Sequence, residues 1–364
     1  MNKQQFCFQP KRILVVRLGA FGDVVNTLPA FEALRHNFPH AFIGWLVEDK
    51  WKSLLEGYPG LDTIIPFEKS TLLKNVKSPL KFPKAIAHSV PFIKNLRKLD
   101  FDTAIDFHGN LKSGILTKLS GAKQRIGFTR GFCREANYLF TNIRIVPGPK
   151  MQLRAEKNLG LLKGLGLDMP AVRKISFPLP EGSEKEARAF LKSAFAGRPY
   201  VVIHAGTSRF GAYKRWPAEN FARLGCRIAG ELHKKILLTW AGAEECGAVE
   251  KIRAQIGADA VLAPEIIDLK ILAFFLQEAE LFIGADTGPL HLAASVGTPC
   301  AALFGPKDPA VYAPFSFGPK HAVIRKNLPC SPCKKRACKD PVCMTSMTVD
   351  EVFRSTAELH ACHC

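Results

Sequence analysis

Within GADTGPLHLAASVGTPCAALFGP (284–306), Asp286, Thr287, Gly288 and His291 fall inside six positions of an otherwise apolar stretch. An acid, a hydroxyl and an imidazole at the end of an apolar run suit an anion site at a helix start. Exposed N–H groups and a dipole of about half a charge wait there. Pro289 suits the first helical position, which puts Thr287 or Gly288 near the cap, and Gly288 lets the backbone approach a ligand closely. A plain N-cap beside a satisfied core histidine explains the same residues taken alone.

Three other glycine-bearing loops follow apolar strands. In HAGTSRFGAYKRWPAENFARL (204–224), Thr207 and Ser208 offer hydroxyls, and Lys214 suits neutralisation of a phosphate as a point charge. Arg215 reads as part of a solvated loop. WAGAEE (240–245) presents two acids, of which Glu244 suits hydrogen bonds to a ribose diol; an acidic first turn of a helix explains one of the pair equally well. RLGAFGD (17–23) ends in Asp23, placed to take a proton from a hydroxyl or to cap a helix. Its glycines do not fit G-x-G-x-x-G, so a dinucleotide oxidoreductase gains little support.

The elements that must position these residues alternate. ILVVR (13–17), FIGWLV (42–47), TIIPF (63–67) and DTAIDF (102–107) read as buried strands with helical stretches between them. SFPLPEGSEKEA (176–187) shifts to Pro, Gly, Ser and charge and reads as a linker. Alternation then restarts with YVVIHAG (200–206), KILLTWAG (236–242), LFIGAD (281–286) and CAALFGP (300–306). The expectation is two doubly wound α/β domains in series, residues 1–178 and 179–364. Ligands of such sheets bind beyond the carboxyl ends of the strands, where all four loops sit.

The chain has 364 residues, 51 Lys plus Arg and 32 Asp plus Glu, a formal charge of +19 that favours an anionic partner. Eight of the basic residues fall between Lys69 and Lys98 with Leu, Phe and Ile among them, a strip suited to a negative membrane face. No apolar run is long enough to span a bilayer and the N-terminus does not suit a signal peptide, so a cytoplasmic protein is expected. Reduced thiols follow as the default for the 11 cysteines. Cys330, Cys333, Cys338 and Cys343 have the spacing C-x2-C-x4-C-x4-C, tighter than usual zinc ribbons, and suit one metal or a reduced loop equally.

DTGPLHLAA followed by a strand and FGPKDP, together with KRWPAENFARL, RLGAFGDVVNTLPA and the late CSPC…C…C, resembles the ADP-heptose:lipopolysaccharide heptosyltransferases, glycosyltransferase family 9. The resemblance runs from about Arg12 to Glu358. It implies a GT-B fold, two Rossmann-like domains facing a central cleft, the first for acceptor and the second for donor. It implies inverting transfer of heptose from ADP-heptose to a lipopolysaccharide inner-core acceptor, with no metal and no cofactor, the ADP-sugar being a substrate. Asp23 matches the general base. Thr207, Ser208 and Lys214 match diphosphate contacts, Glu244 the ribose contact, and Asp286, Thr287, Gly288 and His291 the donor-phosphate loop. DFHGNLKSG (106–114) resembles the acceptor-side strand end, where Lys112 would meet a phosphate or carboxylate. Many members carry a histidine ahead of the helix in MQLRAEKNLGLLKGLG, where this chain has Leu153 or Arg154. The implied partners are ADP-heptose, a lipid-linked acceptor and the anionic inner-membrane surface, and not nucleic acid. The alternatives are another nucleotide sugar, a protein acceptor, or a non-catalytic basic nucleic-acid-binding protein.

Overall fold

The computed structural model describes residues 8–68, 82–150, 152–171, 174–316, 318, 320–333 and 337–363, with backbone alone for 82–89, 209 and 210. The chain divides into two compact units, Met1–Val172 and Arg173–Cys364. In the first, strands β1 (Arg12–Val16), β2 (Phe42–Glu48), β3 (Thr63–Phe67), β4 (Thr103–Asp106), β5 (Gln124–Phe128) and β6 (Ile143–Ile145) form one sheet in the order β3-β2-β1-β4-β5-β6. Every neighbouring pair is parallel. The second unit repeats the arrangement. Its strands β7 (Tyr200–His204), β8 (Lys235–Leu238), β9 (Ala260–Leu262), β10 (Leu281–Ala285), β11 (Cys300–Phe304) and β12 (Ala322–Arg325) run β12-β11-β10-β7-β8-β9, again all parallel. Both are Rossmann-type sheets. The order reverses between β1 and β4 and between β7 and β10, which makes the carboxyl ends of those strands the crevices for ligands.

The central strands are apolar because helices cover both faces of a parallel sheet. Ile13, Leu14, Val15 and Val16 of β1 are fully buried, as are Cys300 to Phe304 of β11. Each unit has its own core, around Leu14, Val16, Leu46 and Phe101 in the first and around Ile203, Trp216, Phe221, Ile283 and Leu303 in the second.

The linker expected at 176–187 is corrected. Glu181–Phe195 is a helix with Glu181 and Glu184 in its first turn, where acids favour the N-terminal dipole. Just before it, Ile175 and Phe177 are buried in the second unit, and Ile175 N–H donates to Ser295 O at 2.7 Å. Pro and Ser at 176–180 therefore mark an ordered approach to a helix, not a tether. Residues 69–81 of the basic strip lie outside the described residues, and the rest of the strip belongs to the helix Phe82–Lys98. Among the described residues no helix is long and apolar enough to cross a membrane.

The helix Arg154–Lys163 docks on the first unit through two close contacts. Asn158 Nδ2 donates to Thr27 Oγ1 at 3.0 Å and Asn26 O at 3.1 Å. Gly160 faces the backbone of Pro147, and a Cβ there would lie 1.8 Å from the Pro147 carbonyl oxygen. Gly160→Ala gains about 1 kcal/mol of helix propensity but must push the helix off a backbone that cannot yield. Overpacking of this kind costs about 1–3 kcal/mol and occasionally more. The variant is expected to melt several degrees lower than the wild type in a thermal scan, and an equal or higher melting temperature would show that the helix does not sit this closely.

Candidate functional site

Asp23 lies at the third position of the short helix Phe21–Val25, whose N-cap is Ala20 with no side-chain cap. The capping role open to it from sequence is therefore not the one it takes. Its carboxylate instead turns to Arg17, whose Nη2 is 2.8 Å from Oδ2. Arg17, 5% exposed, also donates from Nη1 to Phe107 O at 2.6 Å, which ties the end of β1 to that of β4. Burial lowers the Arg17 pKa while Asp23 opposes it, and guanidinium remains charged throughout the physiological range. Sequence reading met Arg17 merely as the last residue of the strand ILVVR. An arginine inside a buried strand end, one loop ahead of an acid, was the signal for its role.

Lys112 stands in the first turn of the helix Leu111–Leu119, and its ammonium is 2.9 Å from Glu48 Oε1. Glu48, at the end of β2, is buried. The predicted anion contact is thus already neutralised by an acid that sequence reading did not single out. The DFHGN loop is shaped by Asp106, fully buried, which accepts from Ser113 Oγ, Asn137 Nδ2 and the N–H groups of His108 and Gly109. Beside it, burial and then the nearby Arg17 push the His108 pKa down to about 3, with Lys112 and Arg154 adding to the fall. The ring is neutral at pH 7, and its buried Nδ1 has no hydrogen-bond partner. Arg154, the first residue of its helix, therefore contributes to a positive field over this strand end.

In the second unit Gly288–Ser295 is a helix with Thr287 as N-cap and Pro289 at the second position. Thr287 does not cap; its Oγ1 donates to Ala285 O at 3.2 Å, so the first-turn N–H groups receive no side-chain cap. Asp286, 6% exposed, directly follows β10, and Lys214 Nζ reaches its Oδ2 at 2.5 Å and its carbonyl oxygen at 3.0 Å. Burial pushes the Asp286 pKa up, but His291 and Lys214 outweigh it and hold it below the ordinary carboxylate value. His291 Nε2 stands 3.7 Å from Oδ1, long for a hydrogen bond, and its Nδ1 is buried without a partner. The structure thus brings Lys214, Asp286, Thr287, Gly288 and His291 to one strand end.

Thr207, 3% exposed, and Ser208, exposed, follow β7. Glu244 and Glu245 open the helix Ala243–Ile256, and the structure separates their tasks. Glu245 turns inward and accepts from Ala241 N–H at 2.9 Å; a Cβ on Gly206 would meet its carboxylate at 2.3–2.6 Å. Glu244 is left at the surface, 67% exposed, where it holds Arg215 at 2.7 Å. The solvated role expected for Arg215 is corrected: its Nε donates to Thr207 Oγ1 at 2.9 Å and its Nη2 to Thr207 O at 3.0 Å.

Cys330 and Cys338 are exposed, Cys333 half-buried, and Cys343 buried near Gly305, all as free thiols. Among the described residues no three His, Cys, Asp or Glu side chains are grouped to hold a metal ion.

Two Rossmann-like units of this kind are the architecture of the GT-B fold. Residues 90–343 match glycosyltransferase family 9 (heptosyltransferase), and the chain belongs to that family. It is 29% identical over 329 residues to lipopolysaccharide heptosyltransferase 1 of Pseudomonas aeruginosa, covering 90% of this chain and 87% of that protein. It is 26% identical over 312 residues to the lipopolysaccharide core heptosyltransferase OpsX of Haemophilus influenzae, covering 85% of this chain and 84% of the other. Among solved structures, E. coli heptosyltransferase WaaC with ADP superposes with a TM-score of 0.74 at 23% identity, covering 96% of this chain and 99% of that one. At that identity the likeness is one of fold.

Proposed function

We propose that this heptosyltransferase moves heptose from ADP-heptose to a lipopolysaccharide inner-core acceptor, inverting the anomeric centre without a metal. The observation that carries the reading is the uncapped start of helix Gly288–Ser295 with Lys214 held beside it. A leaving diphosphate needs positive charge aimed at the oxygens where negative charge develops. Backbone N–H groups and Lys214 supply it, in the role that a divalent ion plays elsewhere. Thr207 and Ser208 add hydroxyls for the phosphates, and Glu244 is an acceptor for the ribose hydroxyls. In the first unit Asp23 takes the proton of the acceptor hydroxyl as that oxygen attacks the anomeric carbon from the side opposite the diphosphate, which gives inversion. Arg154 and the neutral His108 border the acceptor's anionic groups, and Lys112 reaches them only by exchanging its contact with Glu48. The similarity to lipopolysaccharide heptosyltransferase 1 and to the heptosyltransferase WaaC with ADP supports the substrate assignment. The formal charge of +19 supports a place at the anionic cytoplasmic face of the inner membrane.

The test is a thermal-shift series with ADP, UDP, GDP and dTDP in EDTA, followed by transfer from ADP-heptose under the same conditions. ADP at 100 times its Kd adds about 2.7 kcal/mol of stability, so a rise with ADP alone is expected, and transfer persists in EDTA. A larger rise with another nucleotide would discard the heptose donor, and loss of transfer on chelation would discard the metal-free mechanism.

A further inference from the structure

Arg215 spends all three of its guanidinium nitrogens on two loops. Nε and Nη2 grip Thr207 through its hydroxyl and its carbonyl, and Nη1 grips Glu244. Thr207 follows β7 and Glu244 follows β8, and those strands are neighbours in the sheet. The two ends of this bridge differ. Thr207 is buried, whereas Glu244 is 67% exposed and stands in the first turn of its helix. A salt bridge to so exposed a carboxylate adds little to stability. What it does is fix the direction of a side chain that would otherwise sample many rotamers, with the buried threonine as the anchor. The planar fork suits this task because its donors keep a set spacing, which a lysine ammonium lacks. A cavity of about 300 Å3, lined by Arg215, Trp216, Gly206, Glu244 and Glu245 among others, adjoins the fork.

We propose that Arg215 is a positioning residue that sets recognition of the donor's ribose diol by holding the Glu244 carboxylate at a fixed distance from Thr207. The inference rests on the ADP-sugar reading above. Pre-orienting Glu244 removes an ordering cost from binding, so the effect must follow the sugar hydroxyls and not the phosphates.

Calorimetric titration of ADP and of 2′,3′-dideoxy-ADP into wild type, Arg215→Ala, Arg215→Lys, Glu244→Ala and the Arg215→Ala/Glu244→Ala double variant tests it. Wild type is expected to prefer ADP by about tenfold or more, which corresponds to one well-placed polar contact of about 1.4 kcal/mol. Arg215→Ala weakens ADP by about tenfold more than it weakens dideoxy-ADP, whose loss is confined to the loosened Thr207, so the preference collapses. Arg215→Lys behaves like the alanine variant, and the double variant is no worse than Glu244→Ala, because the two residues act as one unit. An equal loss for both ligands, a preference that survives in Arg215→Ala, or its recovery with lysine overturns the proposal while leaving the donor reading intact. Failure of the wild type to bind ADP at all overturns both.

Discussion

Asp23→Asn is expected to abolish heptosyl transfer and to leave ADP binding as it was. The expected fall in kcat is about 10²- to 10⁴-fold, the range over which a positioned proton acceptor acts. The asparagine has the shape of the aspartate and can keep one hydrogen-bonding oxygen toward Arg17, but its amide cannot accept the acceptor's proton. Position matters as much as type. Asp23 is 31% exposed in its side chain, so it is reachable, and Arg17 fixes it from the buried side at 2.8 Å. Arg17 in turn is held by Phe107 O, so the acid is set against a frame of two adjacent strands. On the proposed reading ADP binds the other compact unit, which gives the control: the thermal shift with ADP is expected to be unchanged in Asp23→Asn. A variant that retains more than about a tenth of the wild-type kcat would fall outside that range and remove Asp23 from the role of base.

Much of this fold was legible because its central strands are buried on both faces and so read as unbroken apolar runs. The strands β1, β2, β7, β8, β10 and β11 belong to that set, and DTAIDF and TIIPF marked β4 and β3 as well. The strands that passed unread are of another kind. Ile143–Ile145, Ala260–Leu262 and Ala322–Arg325 are short edge strands of 3, 3 and 4 residues, with half-exposed or exposed positions in each. Gln124–Phe128 begins with two polar residues and carries a glycine, so neither period nor composition announces it. The identical strand order of the two sheets was likewise invisible, since it is a repeat of topology without a repeat of sequence.

The candidate site divides in the same way. Lys214, Asp286 and His291 were legible from residue type at a strand end, because the α/β rule places ligands there. Arg215 was not, because its partners lie 8 residues back and 29 residues on. They become neighbours through the pairing of β7 with β8, which no linear pattern reports. The split between Glu244 and Glu245 depends in the same way on Gly206, whose missing side chain is the space that Glu245 enters. Types and strand ends can be read along the chain; partnerships across strands cannot.

Lys214→Ala is expected to cost both ADP affinity and stability, and the two losses separate by pH and by a second substitution. The wild-type pair is buried, with side-chain exposures of 18% for Lys214 and 7% for Asp286. Removing one partner strands a buried carboxylate, a change that costs about 3–5 kcal/mol when the site cannot rehydrate. The Asp286 pKa is depressed in the folded protein, so its contribution to stability is full above the unfolded value of about 3.9 and is lost as pH falls through the lower folded value. Without Lys214, only His291 is left to oppose burial, so the pKa moves upward and the carboxylate becomes a liability at neutral pH. The melting-temperature gap between wild type and Lys214→Ala should therefore be widest near pH 7 and close as both proteins are acidified toward pH 4 and below. A gap that does not change with pH would mean that Asp286 is not the group left unpaired. Adding Asp286→Asn removes the stranded charge, so the double variant recovers stability at neutral pH. It does not recover ADP affinity if Lys214 meets the phosphates directly, since the cation is still missing. Recovery of both together would reduce Lys214 to a counter-ion for Asp286 and leave the helix start as the source of charge for the diphosphate.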